Sequence, residues 1–170
     1  KIKEWTIELE NDINLTGKEL SNGTEYHNVV NNGTITMNGG KITTTLNMNM
    51  IENYGTFNFN DGIISSTHTS VYTSGTFNVN GSKIYSENTA IYGNSGNVNI
   101  NGGTVESLYG TAVSGYTATV NVNSGLIKGV NGVSTSGTTN VHGGRIEATN
   151  TGVSSSLVID GGQIISEKLG

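Results

Sequence analysis

The sequence predicts an all-β protein, a right-handed parallel β-helix of about seven to eight coils with three strands in each coil. Three observations support this prediction. A short phrase recurs seven times at intervals of about 20 residues, which is the period of a solenoid. Within each phrase apolar and polar residues alternate, and a turn rich in Asn and Gly follows. Helical spacing of the apolar residues is absent from the repeats.

The first strand of each coil is the alternating phrase itself, as in Phe77, Asn78 and Val79. Alternation with period two predicts a strand with one face buried and one exposed. Its first inward position falls at Ile35, Phe57, Phe77, Val98, Val120, Thr139 and Leu157.

The second and third strands follow the turn. Their inward positions are Ile42, Ile64, Ile84, Val105, Ile127, Ile146 and Ile164 for the second strand, and Val71, Ile91, Val113, Val133 and Val153 for the third. Stacking such coils places like residues on one another, so we predict a core of aliphatic ladders.

The turn after the first strand also forms a column, which runs through Asn38, Asn60, Asn80, Asn101, Asn123, His142 and Asp160. Asn tolerates left-handed backbone angles and can hydrogen-bond to a like residue on the next coil. We therefore interpret this column as a structural turn ladder rather than a binding site.

The chain divides into two segments of one domain. Residues 1–32 depart from the rhythm, and we predict an irregular N-terminal coil that caps the end of the rod, with Trp5 as its lid. Residues 33–170 carry the repeats. The start without Met and the end just after a second strand suggest a piece of a larger protein.

Charge and composition exclude several functions. The net charge is −5 with a single Arg, which argues against nucleic-acid binding. No apolar run is long enough to predict membrane insertion in this segment. There is no Cys, and His27, His68 and His142 lack the spacing of a metal pair, so we expect no metal site and no cofactor.

Catalysis would need acid and base groups gathered in one place. Asp61 and Asp160 should lie about five coils apart, near 24 Å. Glu106 and Glu147 share an outward column with Lys128 between them, at ~9.6 Å, near the upper end of the range for inverting glycosidases. We interpret these three residues as a solvated charge ladder and predict a protein that is not an enzyme and has no catalytic residues.

The outward side of the first strand, here called the strand-one face, is an array of Thr-x-Asn units. It has three interpretations: β-propensity with solubility, self-association of two rods, and ice binding. Ice binding fits less well, because Asn rather than Thr fills the second file and Val158 interrupts it. The candidate residues are Thr34, Thr56, Asn58, Thr76, Asn78, Asn99, Thr119, Asn121, Thr138 and Asn140.

Aromatic residues gather elsewhere. Tyr72 and Tyr92 should stack outward on the third strand of adjacent coils, with Tyr85 on the neighbouring face and Tyr109 and Tyr116 in the corners of the next coil. Exposed Tyr rings can stack on sugars while their hydroxyls hydrogen-bond. Tyr72, Tyr92 and Tyr85 are therefore candidate glycan-binding residues; the alternative is an aromatic ladder that only stabilises the sheet.

The segments NGTITMNGGKI, SGTFNVNGSKI, NSGNVNINGGTVES and SGTTNVHGGRIEATNTGV together resemble the Gly/Asn/Thr-rich β-helix repeats of bacterial cell-surface adhesins. Such repeats occur in cell-wall-anchored proteins of Gram-positive bacteria and in autotransporter passenger domains. The resemblance covers roughly residues 33–166. It implies a secreted or cell-surface binding rod that is part of a larger surface protein.

The expected function is therefore a non-enzymatic extracellular module that binds a glycan or protein of a host or neighbouring bacterial cell. Two alternatives remain open. One is a self-associating or ice-binding rod that uses the strand-one face. The other is a polysaccharide lyase or hydrolase, because many parallel β-helices cleave acidic polysaccharides.

Overall fold

A computed structural model describes residues 5–9, 13–14, 18–22 and 27–168, with side chains described for residues 29–168. In this part the chain is all-β and winds into a parallel β-helix of about seven turns, which confirms the predicted fold class. Every strand pairing within it is parallel.

The strands, in chain order, are β1 Trp5–Leu9, β2 Ile13–Asn14, β3 Lys18–Asn22, β4 His27–Asn31, β5 Thr34–Thr44, β6 Asn49–Asn53, β7 Thr56–Ser66, β8 Thr69–Thr73, β9 Thr76–Val79, β10 Lys83–Ser86, β11 Thr89–Gly93, β12 Asn97–Ile100, β13 Thr104–Ser107, β14 Thr111–Gly115, β15 Thr119–Val122, β16 Leu126–Val141, β17 Arg145–Ile159 and β18 Gln163–Ser166. Four of these strands, β5, β7, β16 and β17, run through at least one corner of a coil without interruption.

The register of the pairings confirms the three predicted inward columns. Ile35 pairs with Phe57, and Phe57 pairs with Phe77, as expected for one column of first-strand residues. The columns also extend toward the N-terminus beyond the repeats. In the backbone register Ile13 pairs with Ile35, and Val29 pairs with Ile51.

The predicted N-terminal cap falls on residues 1–32. Backbone strands β2, β3 and β4 pair in parallel with β5 and β6, so this segment joins the ladder of the coils that follow. The side chain of Trp5 lies outside the described residues. The role of the segment as a cap therefore stays a prediction.

The core is a set of stacked apolar side chains with no exposed surface in the middle coils. Phe57 and Phe77 are fully buried, and their ring centroids lie 5.1 Å apart. Complete burial of such a side chain contributes about 1.5–3 kcal/mol. Toward the C-terminal end the column thins, since Thr139 takes one inward position and Leu157 in the last coil is 44% exposed.

Left-handed backbone angles at the turns explain the Gly column beside the Asn ladder. Gly103 has φ of 72°, and a Cβ added there would lie 2.4 Å from the carbonyl oxygen of Ser82. A side chain at this position would meet both strain and backbone. Ser82 has φ of 58° and is the one non-Gly residue with a positive φ in the described part of the chain.

Candidate functional site

The turn column behaves as the predicted ladder. The Asn60 side-chain amide donates to Asn38 at 2.7 Å, and the same link joins Asn80 to Asn60, Asn101 to Asn80 and Asn123 to Asn101 at 2.7 to 2.8 Å. At the far end Nδ1 of His142 lies 2.7 Å from Oδ1 of Asp160. These exposed side chains bond along the rod axis to one another.

The strand-one face contains a second amide ladder. The Asn78 amide donates to Asn58, and the links from Asn99, Asn121 and Asn140 follow in the same direction, each 2.8 Å long. Each interior amide therefore donates one N–H to one neighbour and accepts a hydrogen bond from the other neighbour with its oxygen. In the Thr file, Thr34, Thr56, Thr76, Thr119 and Thr138 are half-buried, and Asn97 interrupts them.

A third ladder lies inside the rod, at the corner between the third strand and the first. The buried Asn31 amide donates to the side chain of Asn53 at 2.6 Å and to the carbonyl of Thr56 at 2.9 Å. Asn53 in turn donates to Thr73 Oγ1 and to the carbonyl of Thr76, both at 2.9 Å. These bonds give the buried amides partners inside the rod, as buried polar groups require.

This internal ladder was missed in the sequence. Its signal was an Asn or Thr two residues after the third-column apolar residue in three successive coils, at Asn31, Asn53 and Thr73. The Asn residues there resemble ordinary turn residues, so the spacing alone did not indicate an inward side chain.

The predicted aromatic pair is present on the outward side of the third strand. Tyr72 and Tyr92 are in register on adjacent coils, with ring centroids 5.7 Å apart and ring planes within 8°. This is an offset-stacked arrangement. Tyr54, which the sequence did not single out, contacts Tyr72 edge to face with centroids 6.3 Å apart and planes at 61°.

The Tyr54 hydroxyl donates to Glu52 Oε2 at 3.3 Å. Partial burial raises the pKa of the Tyr54 phenol, and the neighbouring Glu52 carboxylate raises it further, because both disfavour the phenolate. Tyr54 therefore remains a neutral hydrogen-bonding group at physiological pH.

Two more tyrosines flank this strand in the coil that follows Tyr92. Tyr109 precedes β14 and is 72% exposed, and Tyr116 follows β14 and is 62% exposed. We call Tyr54, Tyr72, Tyr92, Tyr109 and Tyr116 the tyrosine face. It lies on the third-strand side of the rod and at the two corners that border it.

Tyr85 lies apart from the tyrosine face. It belongs to β10, on the second strand of its coil, and Lys83 Nζ lies 5.2 Å from its ring centroid. Lys83 also pairs with Glu106 at 2.6 Å. The structure therefore brings Tyr72 and Tyr92 together but places Tyr85 in a charged cluster on another side.

The outward carboxylates of the second strand are in the predicted register. Glu106 pairs with Lys128 and Lys128 pairs with Glu147 along the ladder. Glu106 is held by Lys83, and Glu147 by Arg145. Each carboxylate thus contacts a basic side chain, as in a charge ladder.

Asp61 is exposed at a turn, and its carboxylate accepts hydrogen bonds from the Ser82 hydroxyl and from the Gly62 backbone N–H. The Ser82 bond, followed by the Gly62 bond, lowers the pKa of Asp61 below its ordinary value. These contacts stabilise the turn around Ser82.

A shallow cavity of about 240 Å³ opens at the C-terminal coils, lined in part by Lys128, Arg145, Glu147 and Ile165. It carries charges of both signs. Within the described ranges, no three His, Asp or Glu residues cluster so as to hold a metal ion. In the same part of the chain, no helix is long and apolar enough to cross a membrane.

The sequence matches no protein-family model, no curated protein and no solved structure. The class of protein is therefore defined by its fold. It is a parallel β-solenoid repeat rod of about seven turns, rich in Thr and Asn.

Proposed function

We propose that this rod is a non-enzymatic, extracellular adhesin-type module that binds a glycan of a host or neighbouring cell through the tyrosine face. The observation that carries the proposal is the stacked pair Tyr72 and Tyr92, half-buried on an outward strand and contacted by Tyr54, with two exposed tyrosines at the corners of the coil that follows Tyr92. Of the six tyrosines with described side chains, only Tyr85 lies elsewhere.

Aromatic stacking suits such a face to sugar binding. A Tyr ring offers an apolar surface to the C–H groups of a sugar, and its hydroxyl can exchange hydrogen bonds with the sugar hydroxyls. Because Tyr72 already packs against Tyr54 and Tyr92, its ring is ordered before a ligand arrives. Preorganisation of this kind lowers the entropy cost of binding.

The resemblance to repeats of bacterial surface adhesins supports an extracellular location, at the cell surface or in secreted form. The ion pairs of Glu106 and Glu147 favour a binding role over polysaccharide cleavage, since both carboxylates are already engaged by cations. A lyase or hydrolase would release shorter products from an intact polysaccharide. We expect the purified rod to leave polysaccharide length unchanged in a chromatographic assay.

The direct test is a glycan array probed with the wild-type rod, a Tyr72→Ser/Tyr92→Ser double variant and a Tyr85→Ser variant. We expect saturable binding by the wild type, a loss of roughly tenfold or more in the double variant, and little change in Tyr85→Ser. Circular dichroism controls for folding. Binding that is absent from the wild type, or unchanged in the double variant, would overturn the proposal.

Self-association is a second candidate function, favoured by the ordered amide ladder of the strand-one face. The four links between Asn58 and Asn140 hold one file of this face at a regular spacing against a second rod. Sedimentation that depends on concentration, and that is lost in a Thr76→Lys/Thr119→Lys variant, would support it. Thermal hysteresis measured on the same samples tests the ice-binding alternative.

A further inference from the structure

The stack formed by Tyr54, Tyr72 and Tyr92 is covered at one end and leaves a ring face uncovered at the other. On one side, Tyr72 is contacted by the edge of Tyr54. On the other side, the in-register neighbour of Tyr92 on the next coil is Ser114. Because Tyr72 and Tyr92 stack almost in parallel, the second face of the Tyr92 ring is turned toward the coil of Ser114. A serine side chain is too short to cover that ring face.

Beyond this step, the third strand presents short hydrogen-bonding side chains. Ser114, Ser134 and Ser154 share one outward file, and Thr111, Asn131 and Thr151 share the other. Among the described residues, nothing hydrogen-bonds to the Ser114 or Ser134 hydroxyl, so both remain available to a ligand. Three coil steps separate Tyr92 from Ser154, a distance of ~14 Å at the usual strand spacing.

The outward file of the third strand carries no charge. None of its residues from Tyr72 to Ser154 is Asp, Glu, Lys, Arg or His. The nearby charged residues lie off the strand, with Glu87 two residues before β11, Lys128 three residues before Asn131 and Glu147 four residues before Thr151, while Glu52 lies in the same file beyond Tyr72. The file therefore offers hydroxyls but no cation to a sugar, and a neutral sugar suits it better than one that carries a carboxylate or sulfate.

We propose that the rod takes a neutral oligosaccharide along its axis, with one sugar ring stacked on the open face of Tyr92 above Ser114 and the following rings running toward Ser154. This inference rests on the proposed glycan-binding function and specifies the position, direction and charge of the ligand. The Tyr92 face supplies the apolar contact. The serine and threonine hydroxyls supply the hydrogen bonds along the track.

Two substitutions separate this site from the rest of the tyrosine face. Ser114→Ile fills the space beside the open Tyr92 ring face with a β-branched side chain. Such a side chain suits an outward strand position but offers no aromatic face. Ser134→Ile leaves the Tyr92 ring face open and blocks the file of serine hydroxyls one coil further on. Ser65→Ile makes the matched change at a half-buried position of the second strand and serves as the control.

The four proteins, wild type included, are compared on an array of neutral and acidic oligosaccharides of graded length, with affinities measured by titration calorimetry. We expect Ser114→Ile to weaken the neutral ligands roughly tenfold. Ser134→Ile should keep binding of the shortest ligand but lose the gain in affinity with length. Ser65→Ile should bind as the wild type does, and acidic ligands of equal length should bind more weakly to all four.

The outcomes distinguish the two proposals. If the Tyr72→Ser/Tyr92→Ser variant loses binding but both Ser114→Ile and Ser134→Ile bind within twofold of the wild type, the glycan function stands and the axial track is wrong. Preference for acidic ligands overturns the charge argument and the track with it. Absence of any glycan binding by the wild type removes both proposals. Ser134→Ile keeps the test valid if Ser114→Ile fails to fold.

Discussion

The strand-one face and the tyrosine face are built on the same parallel ladder, yet they use their side chains in opposite ways. On the strand-one face, the amides from Asn58 to Asn140 bond to one another without interruption. On the third strand, the stacked tyrosines stop at Ser114, where a ring face and free hydroxyls are left open. In a regular polar column, the side chains make their hydrogen bonds to one another along the rod axis. A ligand therefore fits best where the column breaks.

The two faces meet at the corner that the buried Asn31 and Asn53 side chains organise. The chain turns there from the third strand into the first, and the internal ladder bonds across the corner from one coil to the next. Its buried side chains are unavailable to any ligand. The exposed amide ladder, the tyrosine stack and the buried ladder therefore have three different roles. The role depends on whether the side chains are buried and on whether the column is interrupted.

The largest effect should come from breaking the buried ladder. Asn53→Ala removes the donor to Gly55, Thr73 and Thr76 and removes one of the two acceptors of the Asn31 amide. Buried groups without partners cost about 1–3 kcal/mol each, so we expect a loss of about 2–4 kcal/mol in the free energy of unfolding. Urea denaturation followed by circular dichroism measures it.

Asn60→Ala is the matched control, since it removes one link to each neighbour in the exposed turn ladder. Water can replace those bonds, and the expected loss is about 1 kcal/mol or less. Equal losses in the two variants would contradict the distinction between the buried and exposed ladders.

A smaller, crossed effect should separate the two outward faces. Asn99→Ala removes the bonds to Asn78 and Asn121 and should lower stability by about 1 kcal/mol without changing glycan affinity. Tyr92→Ser should lower stability by a similar amount, about 0.5–1.5 kcal/mol, and weaken glycan binding roughly tenfold. Thermal unfolding and calorimetric titration of both variants provide the comparison. Weaker glycan binding in Asn99→Ala would show that the strand-one face takes part in recognition.

The smallest effect concerns Asp61, which belongs to neither face. Its pKa is lower in the folded state, so the carboxylate contributes stability above the unfolded value of about 3.9, and this contribution is lost as the pH falls through the folded value. Asp61→Asn should therefore lower the Tm at pH 7 slightly and show a flatter decline of Tm below about pH 4. A steeper acid decline in the variant than in the wild type would contradict this sign.

Much of the fold could be predicted because a solenoid repeats its contacts. Counting from Phe57 to Phe77 is enough to stack them, since residues one coil apart must meet in a parallel ladder. The turn ladder and the Tyr72 and Tyr92 pair followed from the same counting. Corner residues were harder to assign, because the direction of a side chain there depends on the backbone angles of the turn and not on a period of two.

The sequence by itself determined the period, the three inward columns and the files of residues on each outward strand, since these depend only on spacing along the chain. The tertiary structure decided which side chains hydrogen-bond to one another. It turned Asn53 inward, placed Tyr54 against the edge of Tyr72, and set Tyr85 among charged residues on another side. Such contacts depend on corner geometry and side-chain orientation, which are set only when the coils stack.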